Sequence, residues 1–478
     1  MKKTIVFSPF TRVEGDLQIE VEIADGAVSS ARTSGTLYRG FENLLRGRPP
    51  HDAIVVTCRI CGTCGAVHAA AAAATLANAF GVQTPPNGLL CRAVILATET
   101  ILSHFTHFYL TFCTDLAAAR YPAEAAKRFT AWTGSHYGPA VKARSELTGI
   151  LGLLAGKWPN TLAMQPGGLT KALTRSDLDR CAGILAQFRA FVEDQVLGGP
   201  LDRWLDNRGM ADLERWANTS ESQASDVGFF IQLALTHGFH RLGRGPGRFL
   251  SSGWPLPGNA MWLKPGFFEN GTASALDPNQ VTEHVRHSWF RPYPGGRAPM
   301  DGLSEPAPTK DAAYSWCKAP RYAGQPAEVG PLARMVVAED PLITDAFRQF
   351  GSVVFTRMLA RVHEMFRLLT EAAVWLRQIS PDEPFYAKDT PQDAASGFSL
   401  LEAPRGMLGH WVRIERGRIR NYQVVTPTAW NLSPRDDQGQ PGPLESALVG
   451  LPVHDVTQPL TLAHTVRSYD PCLFCTVH

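Results

Sequence analysis

Arg59-Ile60-Cys61-Gly62-Thr63-Cys64 sets two thiols two residues apart, a spacing that lets both sulfurs turn toward one ion while Gly62 eases the backbone path. A second pair, Asp470-Pro471-Cys472-Leu473-Phe474-Cys475, lies at the other end of the chain. Four soft sulfur ligands suit zinc, iron-sulfur or nickel-type chemistry, and by spacing alone a structural zinc competes with a redox metal. Nine cysteines is an odd number, which argues for reduced thiols and metal thiolates over a disulfide framework. Cys91, Cys113, Cys181 and Cys317 stand alone and read as packed core thiols. Cys58 adds a sulfur three residues before Cys61 and is also read as packed.

The elements that must carry these pairs follow from periodicity. Leu17, Ile19, Val21 and Ile23 alternate with polar residues before Asp25-Gly26, the pattern of an antiparallel hairpin, and the acidic residues between them, Glu22 among them, form a solvated face. An Ala-rich run from 68 to 80 predicts a helix stopped by Gly81, so the first pair sits where a loop enters a helix. Helical periodicity continues over 89–116, 123–154, 176–197 and 344–379. Residues 243–305 are rich in Gly and Pro and predict loops with short strands, and 398–425 alternates again as strands. The expected fold is α+β, a central bundle of long helices with small peripheral antiparallel sheets. Pairs roughly 400 residues apart share a site only if the chain ends meet, which favours a single interwoven domain over 1–478.

The residues around the cysteines resemble the signatures of nickel-iron hydrogenase large subunits. The first, Arg-x-Cys-Gly-x-Cys-x-x-x-His, is matched by Arg59, Cys61, Gly62, Cys64 and His68; the second, Asp-Pro-Cys-x-x-Cys-x-x-His, by Asp470, Pro471, Cys472, Cys475 and His478. Arg12-Val13-Glu14-Gly15, Arg39-Gly40-Phe41-Glu42, His104-x-x-His107-Phe108-Tyr109, Glu402-Ala403-Pro404-Arg405-Gly406 and Asn421-Tyr422-Gln423 match in family order along nearly the whole chain.

The resemblance implies the large-subunit fold, reversible heterolytic oxidation of dihydrogen, and a role for each position. Cys61 and Cys472 would be terminal nickel ligands, and Cys64 and Cys475 would bridge nickel to an iron carrying carbon monoxide and cyanide, which maturation proteins install. Glu14 would take the proton within hydrogen-bonding reach of Cys472. Arg405, beside Pro404, would lie over the open coordination position with Asp115 and Asp470 around it. The Thr428 hydroxyl would donate to a cyanide, and His68 would hydrogen-bond near a bridging sulfur. A magnesium ion would take Glu42, the carbonyl of Val424 and His478. The implied partner is an iron-sulfur small subunit, giving a heterodimer or a dimer of heterodimers, since the cysteines left over are too dispersed for a cluster chain.

Some residues refine that reading. The chain stops at His478, the end of the second signature, as a processed chain does or as hydrogen-sensing members do. Sensors often carry Gln where His68 stands, which favours an uptake enzyme over a slow sensor. Respiratory-complex relatives lack the four cysteines, which sets aside a quinone-linked scaffold. Asp16 replaces a His common in membrane-bound respiratory members and points to a cytoplasmic branch, membrane-associated only through partners.

With 46 Lys+Arg against 44 Asp+Glu and no long block of one sign, the composition offers no nucleic-acid groove or polybasic patch. No apolar run reaches the length expected of a membrane span. Ile5-Val6-Phe7 is too short for an export signal, so export would need a partner's address.

Overall fold

The opening residues pair as a three-stranded antiparallel sheet, β1 (Lys3–Phe7), β2 (Leu17–Ala24) and β3 (Ala27–Gly35), in the order β1-β2-β3. Leu17, Ile19 and Val21 alternate inward, and Asp25-Gly26 turns the hairpin with both residues at positive φ. The inward face packs on Leu444, Leu448, Leu462 and Leu473 from the far end of the chain. The computed structural model describes residues 3–453, 455, 457 and 459–478.

The Ala-rich run forms α1 (Gly65–Phe80), which Gly81 ends at φ 69°. Its small side chains let neighbouring backbones come close: a Cβ at Gly397 would stand 2.6 Å from the Thr75 carbonyl. Three further long helices, α2 (Pro86–Thr106), α3 (Tyr137–Ala155) and α4 (Arg175–Phe191), precede α5 (Val354–Gln378), and α2 packs against both α5 and α3. A second three-stranded antiparallel sheet, β4 (Ala394–Ala403), β5 (Gly406–Glu415) and β6 (Arg418–Val425), lies on α1. One core runs through both ends of the chain, from Leu45 to Cys475. The architecture is the expected α+β arrangement of long helices with small antiparallel sheets.

Several expected helices are interrupted where the period alone gave no warning. The run 344–379 breaks at Gly351, whose φ of 81° and close approach to Arg244 leave no room for a side chain, so Pro341–Phe350 is a separate helix. The run 123–154 breaks after Ala123–Phe129, because the chain folds back around Gly134 against the Arg128 carbonyl. The run 89–116 is α-helical only to Thr106; it widens into a π turn over His107–Phe112 and tightens over Cys113–Ala117. By length and apolar character Pro86–Ala117 passes as a membrane span, contrary to the expectation that no stretch would, but it is almost wholly buried inside the fold and serves as its core helix.

Buried charge anchors the β4–β5 turn. Arg334, wholly buried, donates to Glu402 and the Ala403 carbonyl at 2.7 and 2.8 Å and also pairs with Glu364, which meets His104 at 2.8 Å. Glu402 in turn accepts from the backbone of Ser252 at 2.7 Å. Replacing Arg334 by Met leaves two buried carboxylates without their cation, and denaturant unfolding should show a loss of about 3–5 kcal/mol. A loss below about 1 kcal/mol would mean that the carboxylates find other partners or protonate without cost.

Candidate metal centre

Cys61 and Cys64 occupy the loop before α1, and Cys472 and Cys475 lie at the start of and within the short helix Leu473–Thr476. The two loops meet through the N-terminal segment: Glu14 donates its N–H to the Pro471 carbonyl at 3.2 Å, and its own carbonyl accepts from Leu473 at 2.6 Å. Gly15, at φ 85°, allows this approach, since a Cβ there would lie 3.0 Å from the Phe474 nitrogen. Arg39 fastens both loops from outside, donating to the Ile60 and Phe474 carbonyls.

The four sulfurs converge. Cys61 and Cys472 stand 3.3 Å apart, Cys64 and Cys475 3.1 Å, and Cys472 and Cys475 3.1 Å, all buried and all within 4.8 Å of one another. Hydrogen bonds from Cys472 and its neighbours hold the Cys61 thiol well down, whereas the Cys472 contact pushes Cys64 up and burial pushes Cys475 up. Four thiols this close resist ionising together without a cation among them. A metal that accepts thiolates removes that resistance, so the donor set fits a soft transition ion.

Beside the sulfurs lies a cavity of about 160 Å³ lined by Glu14, Ser103, Thr106, His107, Arg144, Arg405 and Asp470 among others. Arg405 donates Nε–H to the Asp470 carbonyl at 2.9 Å and Nη2–H to its Oδ1 at 3.1 Å. Burial works against both charges, but each outweighs it for the other: Asp470 holds Arg405 up, and Arg405 holds Asp470 below the usual carboxylate range. Arg405 Nη1, Asp470 Oδ2 and Ser103 Oγ are buried without a partner among the described residues, so polar capacity faces the cavity unspent. Burial raises the Glu14 carboxyl against the pull of Arg405, and Cys61 adds to the rise.

A family model described as nickel-dependent hydrogenase matches residues 39–133 and 237–478. The periplasmic [NiFeSe] hydrogenase large subunit of Desulfomicrobium baculatum is 34% identical across 100% of this chain and 95% of its own length. The chain belongs to the nickel-dependent hydrogenase family. The hydrogenase-2 large chain of Escherichia coli (strain K12) is 29% identical over 100% of this chain and 97% of its own. Among solved structures, the [NiFeSe] hydrogenase of Dm. baculatum superposes with a TM-score of 0.87 at 32% identity, covering 100% of both chains. That of D. vulgaris Hildenborough gives 0.86 at 32% identity, again over 100% of both. The fold is therefore that of a hydrogenase large subunit, and the chain is an oxidoreductase acting on dihydrogen. A sensing role draws no support from these relatives. Selenium belongs to those relatives; all four positions here are cysteine.

Within this hydrogenase the expected site residues divide. Cys61, Cys64, Cys472, Cys475, Glu14, Arg405 and Asp470 come together, with Pro404 adjoining Arg405 on the turn. Glu14 differs from expectation in one respect: its main chain pairs with the Cys472 loop, but among the described residues its carboxylate makes no hydrogen bond to that sulfur. Asp115 is not beside Arg405. It pairs with Arg12 and, at 2.5 Å, with Arg467, because the tight turn after Phe112 directs it to that cluster. Thr428 Oγ1 accepts from the Cys472 N–H at 3.1 Å, and among the described residues its own proton has no acceptor. His68 lies one helical turn beyond Cys64, and its Nδ1 is 3.2 Å from His410 Nε2.

Glu42 and His478 meet at 3.3 Å, and the Val424 N–H donates to Glu42 at 2.8 Å. Lys318 also stands 3.4 Å from Glu42, and its charge together with His478 outweighs burial and brings the carboxyl down to about 2. Cys58 is buried with its sulfur 3.3 Å from the Val55 carbonyl, and Cys91, Cys113, Cys181 and Cys317 are buried singly, as expected of packed thiols.

The sequence reading missed three groups. Ser103 and Thr106 on α2 and His107 at the start of the π turn all line the cavity; the i, i+3, i+4 spacing was the available signal. Arg144 reaches the same cavity from α3. Glu99, wholly buried, accepts from the N–H groups of Ala66 and Val67, each at 2.9 Å, and from Trp158 at 2.8 Å, so it caps α1 right behind Cys64. Burial pushes its carboxyl up to about 7. Glu99→Leu should cost about 1–3 kcal/mol in denaturant unfolding, since two buried N–H groups lose their acceptor. An unchanged midpoint would show that the cap is not needed.

Proposed function

We propose that the four cysteines hold a nickel-iron centre at which dihydrogen is oxidised in the uptake direction, with Cys61 and Cys472 terminal on nickel and Cys64 and Cys475 bridging to iron. Carbon monoxide and cyanide on iron, installed by maturation proteins, complete the group. When bound, that group supplies the redox chemistry and the polarisation that splits dihydrogen. The observation that carries the reading is the convergence of four buried sulfurs from both chain ends within 4.8 Å, beside a polar cavity.

The chain's own residues then have separable tasks. Glu14 accepts the proton released at the sulfurs: its half-buried carboxyl is raised by desolvation, with Arg405 and Cys61 close enough to act on its charge. Arg405, fixed by Asp470, presents Nη1 to the cavity and orders what enters it. Thr428, already bonded to the Cys472 N–H, directs its free hydroxyl proton toward a cyanide. His68 supports a bridging sulfur from the α1 face. Asp115 acts at one remove, by holding Arg467 and Arg12.

Glu42, the Val424 carbonyl and His478 would hold a magnesium ion that pins the C-terminus, with waters in its remaining positions; the meeting of Glu42 and His478 supports the site. Electrons leave through an iron-sulfur small subunit, since the remaining cysteines are dispersed through the core. The relatives are named as large subunits or large chains, which fits a heterodimer, with pairing of heterodimers a further step. The chain works as a single interwoven unit over 1–478, supported by the core shared between its ends. The relative at 34% identity is named periplasmic, which pulls against the cytoplasmic address expected from Asp16; a periplasmic location would need a small subunit that carries the address.

The experiment is hydrogen-dependent reduction of a viologen dye by the co-purified complex. Sustained turnover supports an uptake enzyme. Binding of hydrogen with only a trace of turnover would replace that reading with a sensor.

A further inference from the structure

Behind His68 runs a chain of buried hydrogen bonds that the proposed chemistry does not use. His68 Nδ1 is 3.2 Å from His410 Nε2, and His410 Nδ1 is 2.8 Å from the Tyr422 hydroxyl. His410 lies on β5 and Tyr422 on β6, and all three side chains are buried, at 1%, 0% and 0% exposure. Two imidazoles bonded nitrogen to nitrogen require one donor and one acceptor. Burial also disfavours their charged forms, taking His68 down to about 4 and His410 well below its ordinary value. Each ring therefore carries a single N–H, and the chain can be polarised in only two ways.

The Tyr422 end decides between them. Among the described residues its hydroxyl has one hydrogen-bond partner, His410 Nδ1, so its proton is used only if Tyr422 donates there. His410 must then carry its proton on Nε2 and donate it to His68 Nδ1. His68 in turn carries its proton on Nε2, the nitrogen turned away from His410. The reverse polarity leaves the phenol proton without an acceptor and gives His68 Nε2 a lone pair in place of a donor. His68 stands one turn from Cys64 on α1, and its ring feels the charge of Cys61.

We infer that Tyr422 and His410 are positioning residues that lock His68 in the Nε2–H tautomer and so direct a hydrogen-bond donor at the thiolate cluster. This rests on the nickel-iron reading above for its consequence, though not for its geometry. A donor at a ligating sulfur draws electron density from the metals, so the lock tunes the centre without touching it.

The test is Tyr422→Phe in the assembled complex, which keeps the ring and removes only the hydroxyl. Nitrogen-15 spectra of histidine-labelled protein, with the His68 signal assigned by its loss in His68→Gln, should show the Nε2–H tautomer in the native complex and a mixture in Tyr422→Phe. The infrared bands of the iron-bound diatomic ligands should gain a second set at lower frequency. An Nδ1–H tautomer at His68 in the native complex, or a Tyr422→Phe variant unchanged in both spectra, overturns the inference. Absence of diatomic bands in the native complex would instead overturn the nickel-iron reading, while the nitrogen spectra still decide the tautomer.

Discussion

Glu14→Gln should keep its nickel and iron but lose hydrogen oxidation by about 10²–10⁴-fold, the range a positioned general base contributes. The substitution preserves shape and the main-chain pairing to Pro471 and Leu473, so the cysteine loops stay in register. What is removed is a basic oxygen in a half-buried carboxyl that desolvation raises above 4.5 and Arg405 pulls back. A base must be ionised to act, so native turnover should fall as the pH drops through that raised value. The residual turnover of the variant should lack this acid limb. Steady-state rates across pH, with metal content measured on the same samples, check both points. Full turnover at full metal content would remove Glu14 from the proton route.

Arg405→Lys should cost about 10²–10³-fold in turnover, the scale for losing one preorganised donor at a reacting centre. Arg405 grips Asp470 through Nε and Nη2 and still has Nη1 to offer the cavity. An ammonium is a point donor on a flexible stem and cannot make the two-pronged contact while presenting a third nitrogen. Charge is conserved, so Asp470 keeps a cation nearby and the fold should survive. The same rate measurement decides it: unchanged activity would show that Arg405 serves Asp470 alone.

The cysteine pairs were legible because ligand spacing and flanking residues are local: Cys61 and Cys64, or Cys472 and Cys475, announce themselves within a few positions. That the ends meet followed from requiring one site, and the Glu14 bridge to the Cys472 loop bears it out. Asp115 was misplaced because a motif match gives order along the chain and not direction in space, and the turn geometry after Phe112 aims it at Arg467. Helix breaks at Gly351 and Gly134 escaped notice because apolar periodicity continues across them, while the cause is a neighbouring backbone or arginine unseen in the sequence. Glu99 was illegible for the opposite reason. Nothing in its own stretch marks it; its task is set by the α1 N-terminus arriving from 33 residues earlier.

The central claim is that the four buried sulfurs hold nickel and an iron bearing diatomic ligands. An infrared spectrum of the purified complex, with nickel, iron and zinc determined on the same sample, tests it most directly. The account predicts narrow carbon monoxide and cyanide bands and about one nickel per chain, both lost when Cys64 or Cys475 is replaced by Ser. Zinc in the site without those bands would contradict it, since the four thiols would then be a structural scaffold.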